Sequence, residues 1–141
     1  MIAIDTNVLL RYLLVDDKQQ FDKAERLIIN NVPVLITDVV LAEAIWTLSG
    51  KRYGFDKPTI CRVVRKLVGD RAFVFEDNQV IWSALRNYEA AKLVRGKPLD
   101  FADVLIAEKT SFSAAMKGDN LSAYYSFDKA VEQLHNAKIP E

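Results

Sequence analysis

An α/β fold, with a parallel sheet covered by helices on both faces, is predicted by three observations. Short apolar segments alternate with longer amphipathic ones along the chain. The opening segment, IAI, is apolar without alternating polar partners, as in a strand buried on both faces. No repeat, low-complexity segment or Gly/Ser/Pro-rich linker divides the sequence, so residues 1–141 read as one domain. Half of the residues are hydrophobic, enough for a sizeable core without metal or disulfide staples.

The elements follow in order. Residues 2–5 form the first strand, and Thr6 and Asn7 can cap a helix carrying VLLRYLL. FDKAERLIIN supplies a second amphipathic helix and VPVLI the second strand. Thr37 caps a long apolar helix, DVVLAEAIWTLSGKRY, ended by Gly54. A fourth helix follows Pro58, with Ile60, Val63, Val64, Leu67 and Val68 on the core side and Arg62, Arg65 and Lys66 opposite. AFVFE is the third strand, and Asn78 begins a helix that turns Val80, Ile81, Ala84, Leu85, Tyr88 and Ala91 inward. Asp100 caps FADVLIAEKTSFSAAM; SAYYSF is then a strand, KAVEQLH a last helix and AKIP a short edge strand. Right-handed crossovers are expected to join the parallel strands.

Charge and cysteine usage narrow the function classes. The single Cys61 excludes an intramolecular disulfide, no secretory leader pattern is evident, and a reducing cytoplasm is the expected location. No apolar run approaches the ~20 residues needed to span a bilayer, so a membrane role is not expected. The net charge of zero hides a basic middle: eleven bases against five acids lie between Lys51 and Lys97, leaving the flanks acidic. Phosphate-binding groups beside an acidic site would suit a polyanionic substrate. Solvated helix faces on a neutral protein explain the same pattern.

The acids carry the sharper signal. Asp5 ends the first strand and Asp128 ends SAYYSF, the positions where open α/β sheets expose chemistry. Glu43 lies in VVLAEAIW, so apolar that the helix is expected to be largely buried, and a buried carboxylate needs a partner or a functional cleft. Asp103 sits in the first turn after the Asp100 cap. Each also has a structural explanation as a turn residue, a cap or a snorkelling side chain. If the four converge, repulsion forces some to take up protons unless a cation neutralises them. With no imidazole or thiolate among them, oxygen ligands select a hard ion, Mg²⁺ or Mn²⁺, of the kind that serves phosphodiester cleavage.

MIAIDTN, Glu43 in TDVVLAEAIW, DFADVLIA and YYSFDKAV, in that order and over essentially the whole chain, resemble the PIN-domain ribonucleases, specifically the VapC toxins of prokaryotic toxin–antitoxin pairs. The resemblance implies a PIN-like three-layer α/β/α sandwich with a five-stranded parallel sheet in the order 3-2-1-4-5. It implies an Mg²⁺- or Mn²⁺-dependent endoribonuclease leaving a 5′-phosphate and a 3′-hydroxyl. Its acidic quartet maps onto Asp5, Glu43, Asp103 and Asp128 as metal ligands, with Thr6 or Asn7 and Ser126 as polar neighbours. Asp100 is a further acid or merely the helix cap. The resemblance also implies a homodimer held inactive by a VapB-like antitoxin whose C-terminal segment enters a groove near the early helices. Asp119, in a polar GDN turn, competes with Asp128 for the last position; Asp128 is preferred.

Other readings stay open. Arg62, Arg65 and Lys66 would hold RNA phosphates without reading bases, or form an ordinary solvent face. A non-catalytic RNA- or protein-binding module would need no acid at Glu43. A phosphoacceptor enzyme using Asp5 as nucleophile, as haloacid-dehalogenase-like phosphatases do, usually has a second acid two residues later, where this chain has Asn7. His135 lacks ligand partners at metal-binding spacing, Cys61 reads as packing, and Trp46, Trp82, Tyr124 and Tyr125 read as core or interface before base stackers.

Overall fold

The computed structural model describes residues 1–141, and the chain divides into two compact units, Met1–Asn78 and Gln79–Glu141. In the first, three short parallel strands pair in the order β1 (Ile2–Ala3), β2 (Val34–Ile36), β3 (Phe73–Phe75). Val34 stands opposite Ile2 on one side and Phe73 on the other; Val34 and Ile36, on one face of this central strand, are fully buried, and Leu35, on the other, is half-buried. Backbone bonds from Ile4 to Leu35 and from Val34 to Ala72 extend the ladders past the strand ends.

Four helices accompany this sheet. α1 (Thr6–Leu14) packs on α2 (Lys18–Ile29) and α3 (Asp38–Ser49), while α4 (Lys57–Gly69) packs on β3 and α3. Tyr12 ties three elements together, stacking on Phe21 of α2 at 6.1 Å and meeting Phe73 of β3 edge-on at 5.8 Å. In α4, Ile60, Val64, Leu67 and Val68 are buried, Val63 is half-buried, and Arg62, Arg65 and Lys66 face solvent, as the spacing predicts. Cys61 is also buried there.

Helix α3 differs from expectation. Leu41, Ala44, Ile45 and Leu48 are fully buried, but Val39, Glu43 and Trp46 share an exposed stripe, with Val39 73% and Trp46 64% accessible. Glu43 is therefore not a buried carboxylate. The core takes one stripe of the helix and leaves Val39 and Trp46 in water, a choice that an almost uniformly apolar segment does not encode. The buried acid of α3 is Asp38, whose backbone N–H donates to Glu76 Oε2 at 2.7 Å. The helix also stops at Ser49, earlier than Gly54: Gly54, at φ +61°, closes a turn back to Gly50 instead.

The second unit holds most of α5 (Asn78–Ala90), α6 (Phe101–Met116), β4 (Tyr124–Tyr125) and β5 (Ala137–Lys138). Tyr88 meets Phe101 edge-on at 5.8 Å, joining α5 to α6. Gln133 exchanges two hydrogen bonds with the backbone of Lys92, at 2.9 and 3.0 Å, tying the C-terminal segment to the end of α5. The expected last helix is only a 3₁₀ turn, Lys129–Gln133, because five residues cannot repay α-helix nucleation before the chain extends into β5.

The single five-stranded sheet is not formed. Its 3-2-1 half is present, but β4 and β5 pair with each other as a separate two-stranded parallel sheet. A strand of two residues has few donors to share, and the Tyr124 and Ser126 N–H groups are given to Asn136 and Lys138. No helix is long and apolar enough to cross a membrane.

The exposed stripe on α3 is testable. Leu41→Ala should cost about 2–5 kcal/mol in urea denaturation, because it hollows the core. Val39→Ala should stay within about 0.5 kcal/mol of the parent. Equal losses would contradict the assignment of faces.

Candidate active site

In the first unit, β1 runs into α1 through Asp5. Asp5, rather than Thr6 or Asn7, caps the helix, its Oδ1 accepting the Val8 N–H at 2.9 Å. That bond fixes the carboxylate, and the positive start of the helix favours its charge. Thr6 Oγ1 donates to Glu43 Oε2 at 3.1 Å and so links the first residue of α1 to the middle of α3. Asn7 lines a cleft between α1 and α2. Thr6 and Glu43 are thus brought together, one residue from Asp5.

In the second unit, Asp100 and Asp103 form a reciprocal cap at the start of α6. Asp103 N–H donates to Asp100 Oδ1 at 2.8 Å, and Asp100 N–H donates to Asp103 Oδ2 at 3.2 Å. Burial and then the charge of Asp100 push the Asp103 carboxyl up to about 6; Asp128 adds to the rise, and the Asp100 N–H opposes it. Asp128 caps the 3₁₀ turn, its Oδ1 accepting from Ala130 N–H at 2.9 Å, while its own N–H donates to Ser126 Oγ at 3.0 Å. Asp119 instead accepts from the adjacent Asn120 N–H at 2.7 Å.

Tyr124 belongs with this cluster: burial, then the charge of Asp103, raise its hydroxyl pKa. A YY strand predicts packing or stacking, and nothing in it signals a carboxylate neighbour for Tyr124. Asp38, the acid just after the Thr37 cap, is a buried first-turn residue of α3. Arg62, Arg65 and Lys66 are a solvent-facing basic row on α4, where Arg62 Nη2 donates to Thr59 Oγ1 at 3.1 Å.

The donor set fits a hard cation. Every candidate ligand is an oxygen, and the pressure of Asp100 and Asp128 on Asp103 is of the kind a cation relieves. No group of three or more His, Cys, Asp or Glu side chains forms a ready cage. Mg²⁺ does not require one, since it is commonly held by one or two carboxylates and keeps several waters.

Strand-end and helix-start carboxylates on a parallel α/β scaffold, with no imidazole or thiolate among them, define a class of acidic, oxygen-ligand proteins. The chain belongs to the PIN-domain family, whose model matches residues 2–130 and so includes all the acids described. PIN domains are generally nucleases that use divalent metals such as Mg²⁺ and bind nucleic acid substrates. Among curated proteins, none matches the chain closely enough to count as a relative.

The Asp103 shift makes a signed prediction. Its folded pKa of about 6 exceeds the ordinary 3.8, so the metal-free native state binds more protons than the unfolded chain, and stability falls as pH rises through that window. Asp103→Asn keeps an oxygen for the Asp100 N–H and removes the repelled charge. In EDTA its Tm should exceed the parent's at about pH 7.5, with the gap closing towards about pH 4. A variant less stable at the higher pH would contradict the origin assigned to the shift.

Proposed function

We propose that this protein is a divalent-metal-dependent endoribonuclease in which Asp5, Glu43, Asp103 and Asp128 hold Mg²⁺, or Mn²⁺ in its place. The observation that carries the reading is the set of acids about the start of α6, where burial and the charges of Asp100 and Asp128 oppose ionisation of Asp103 in a PIN-family chain. When bound, a divalent cation would neutralise these acids and acidify an attacking water. The chain's own residues supply orientation. The Val8 N–H fixes Asp5, the Thr6 hydroxyl aims Glu43, and Ser126 holds the backbone of Asp128. Asp100 acts as a positioning residue through the reciprocal cap, and Asp103 holds a proton below about pH 6.

Hydrolysis by water would leave a 5′-phosphate and a 3′-hydroxyl. The likeness to VapC toxins supports a role as the toxin of a toxin–antitoxin pair, a homodimer restrained by a small VapB-like antitoxin, in the cytoplasm. Arg62, Arg65 and Lys66 would then carry sequence-independent phosphate contacts.

The test is to induce wild type, Asp5→Asn and Asp103→Asn separately in cells and map new 5′ ends across total RNA. Asparagine caps a helix as well as aspartate does at position 5, and at position 103 its amide oxygen can still accept the Asp100 N–H, so both variants should fold. New ends with wild type alone are expected and would name the substrate. Cuts by either variant would overturn the ligand assignment. No cuts by any folded protein, without an antitoxin present, would leave a PIN-like module that binds without cutting.

A further inference from the structure

A cleft of about 500 Å³ opens in the first unit between α1, α2 and the turn after α3, beginning two residues beyond Asp5. Its polar lining is Asn7, Arg11, Gln20, Lys23 and Arg52, and no carboxylate lines it. Val8, Ala24 and Leu27 supply an apolar floor. Arg11 is a fixed wall with its charge matched: Nη1 contacts both Asp16 oxygens at 2.9 and 3.0 Å, and Nη2 donates to the Tyr53 hydroxyl at 3.4 Å. Arg52 lies over the Tyr53 ring, 5.1 Å from its centroid, and Arg52 and Lys23 are both exposed. The cations open to a ligand are thus Lys23 and Arg52.

The geometry points to a nucleotide subsite in this cleft, taking one nucleotide of a single-stranded RNA beside the phosphate to be cut. Lys23 and Arg52 meet its phosphate, Asn7 and Gln20 meet the base edge, and the Val8–Ala24–Leu27 floor takes the face of the base. Charge alone would also admit an acidic peptide. The two carboxamides favour a nucleotide, because each offers donors and an acceptor, as a base edge does, whereas a carboxylate would leave both acceptors unused. The volume suits one small organic unit. The inference deepens the ribonuclease reading and rests on it.

The test uses the full chain in EDTA, which stops cleavage, titrated with a fluorescein-labelled single-stranded oligoribonucleotide of mixed sequence at several salt concentrations. The Lys23→Gln/Arg52→Gln double variant should bind about tenfold more weakly. The slope of log affinity against log salt should become shallower by about 1.4, two contacts' worth for a single strand. Arg26→Gln, on α2 but outside the cleft, should match wild type. An unchanged slope in the double variant, or an equal loss in Arg26→Gln, would overturn the subsite; if wild type still cuts cellular RNA, the nuclease reading survives that result. Oligoglutamate of equal charge displacing the probe better than unlabelled RNA does would assign the cleft to an acidic peptide and overturn the proposal. Wild type that neither binds the probe nor cuts cellular RNA would sink both readings together.

Discussion

Aspartate side chains that satisfy the first N–H groups of helices hold this molecule's acids in place. Asp5, Asp100 and Asp128 each cap the element that follows, and Asp103 returns the bond of Asp100. A cap does two things at once: it ends the wandering of the carboxylate and sets it against the positive start of the helix, where its charge is favoured. Asp5 and Asp128 are thereby oriented while exposed, and Asp103 is half-buried. Glu43 is the exception, since it sits mid-helix, and a hydroxyl from the neighbouring element performs the same task.

Capping alone does not make a site. Asp17 and Asp56 cap α2 and α4 in the same manner, and at Asp56 the Thr59 hydroxyl and N–H hold the carboxyl below its ordinary value. What sets the start of α6 apart is that the Asp103 carboxyl feels the charges of Asp100 and Asp128 as well as burial. There the helix start and the Asp100 N–H favour the charge of Asp103, while burial and two like charges oppose it, and the opposition wins. A fold that accepts this repulsion where uncharged caps such as Ser or Thr are available has a reason beyond local stability, and cation binding in a PIN domain supplies one.

Much of this was legible in the residues. The alternation of strands and helices, the capping role of Thr37 and the two faces of α4 follow from period and cap chemistry, and the 3-2-1 order of the first three strands from the family resemblance. The exposure of Glu43 did not, because hydropathy says how apolar α3 is and not which stripe the core will use. The separate β4–β5 sheet was also hidden: two-residue strands carry no alternation, and pairing partners are chosen by backbone donors that side chains do not reveal. The cleft holding Lys23 and Arg52 draws on residues far apart in sequence, and only folding places them on one wall.

The central proposal is that Asp5, Glu43, Asp103 and Asp128 serve as ligands of the divalent metal. Paramagnetic broadening of backbone amide signals by trace Mn²⁺ in ¹⁵N-labelled protein tests it most directly, because the effect depends steeply on distance and needs no substrate. The account predicts that amides around Asp5, Glu43, Asp103 and Asp128 broaden first and together, and recover on adding excess Mg²⁺. Broadening confined to one of the two units, or centred on other acids such as Asp16 and Asp17, would contradict it.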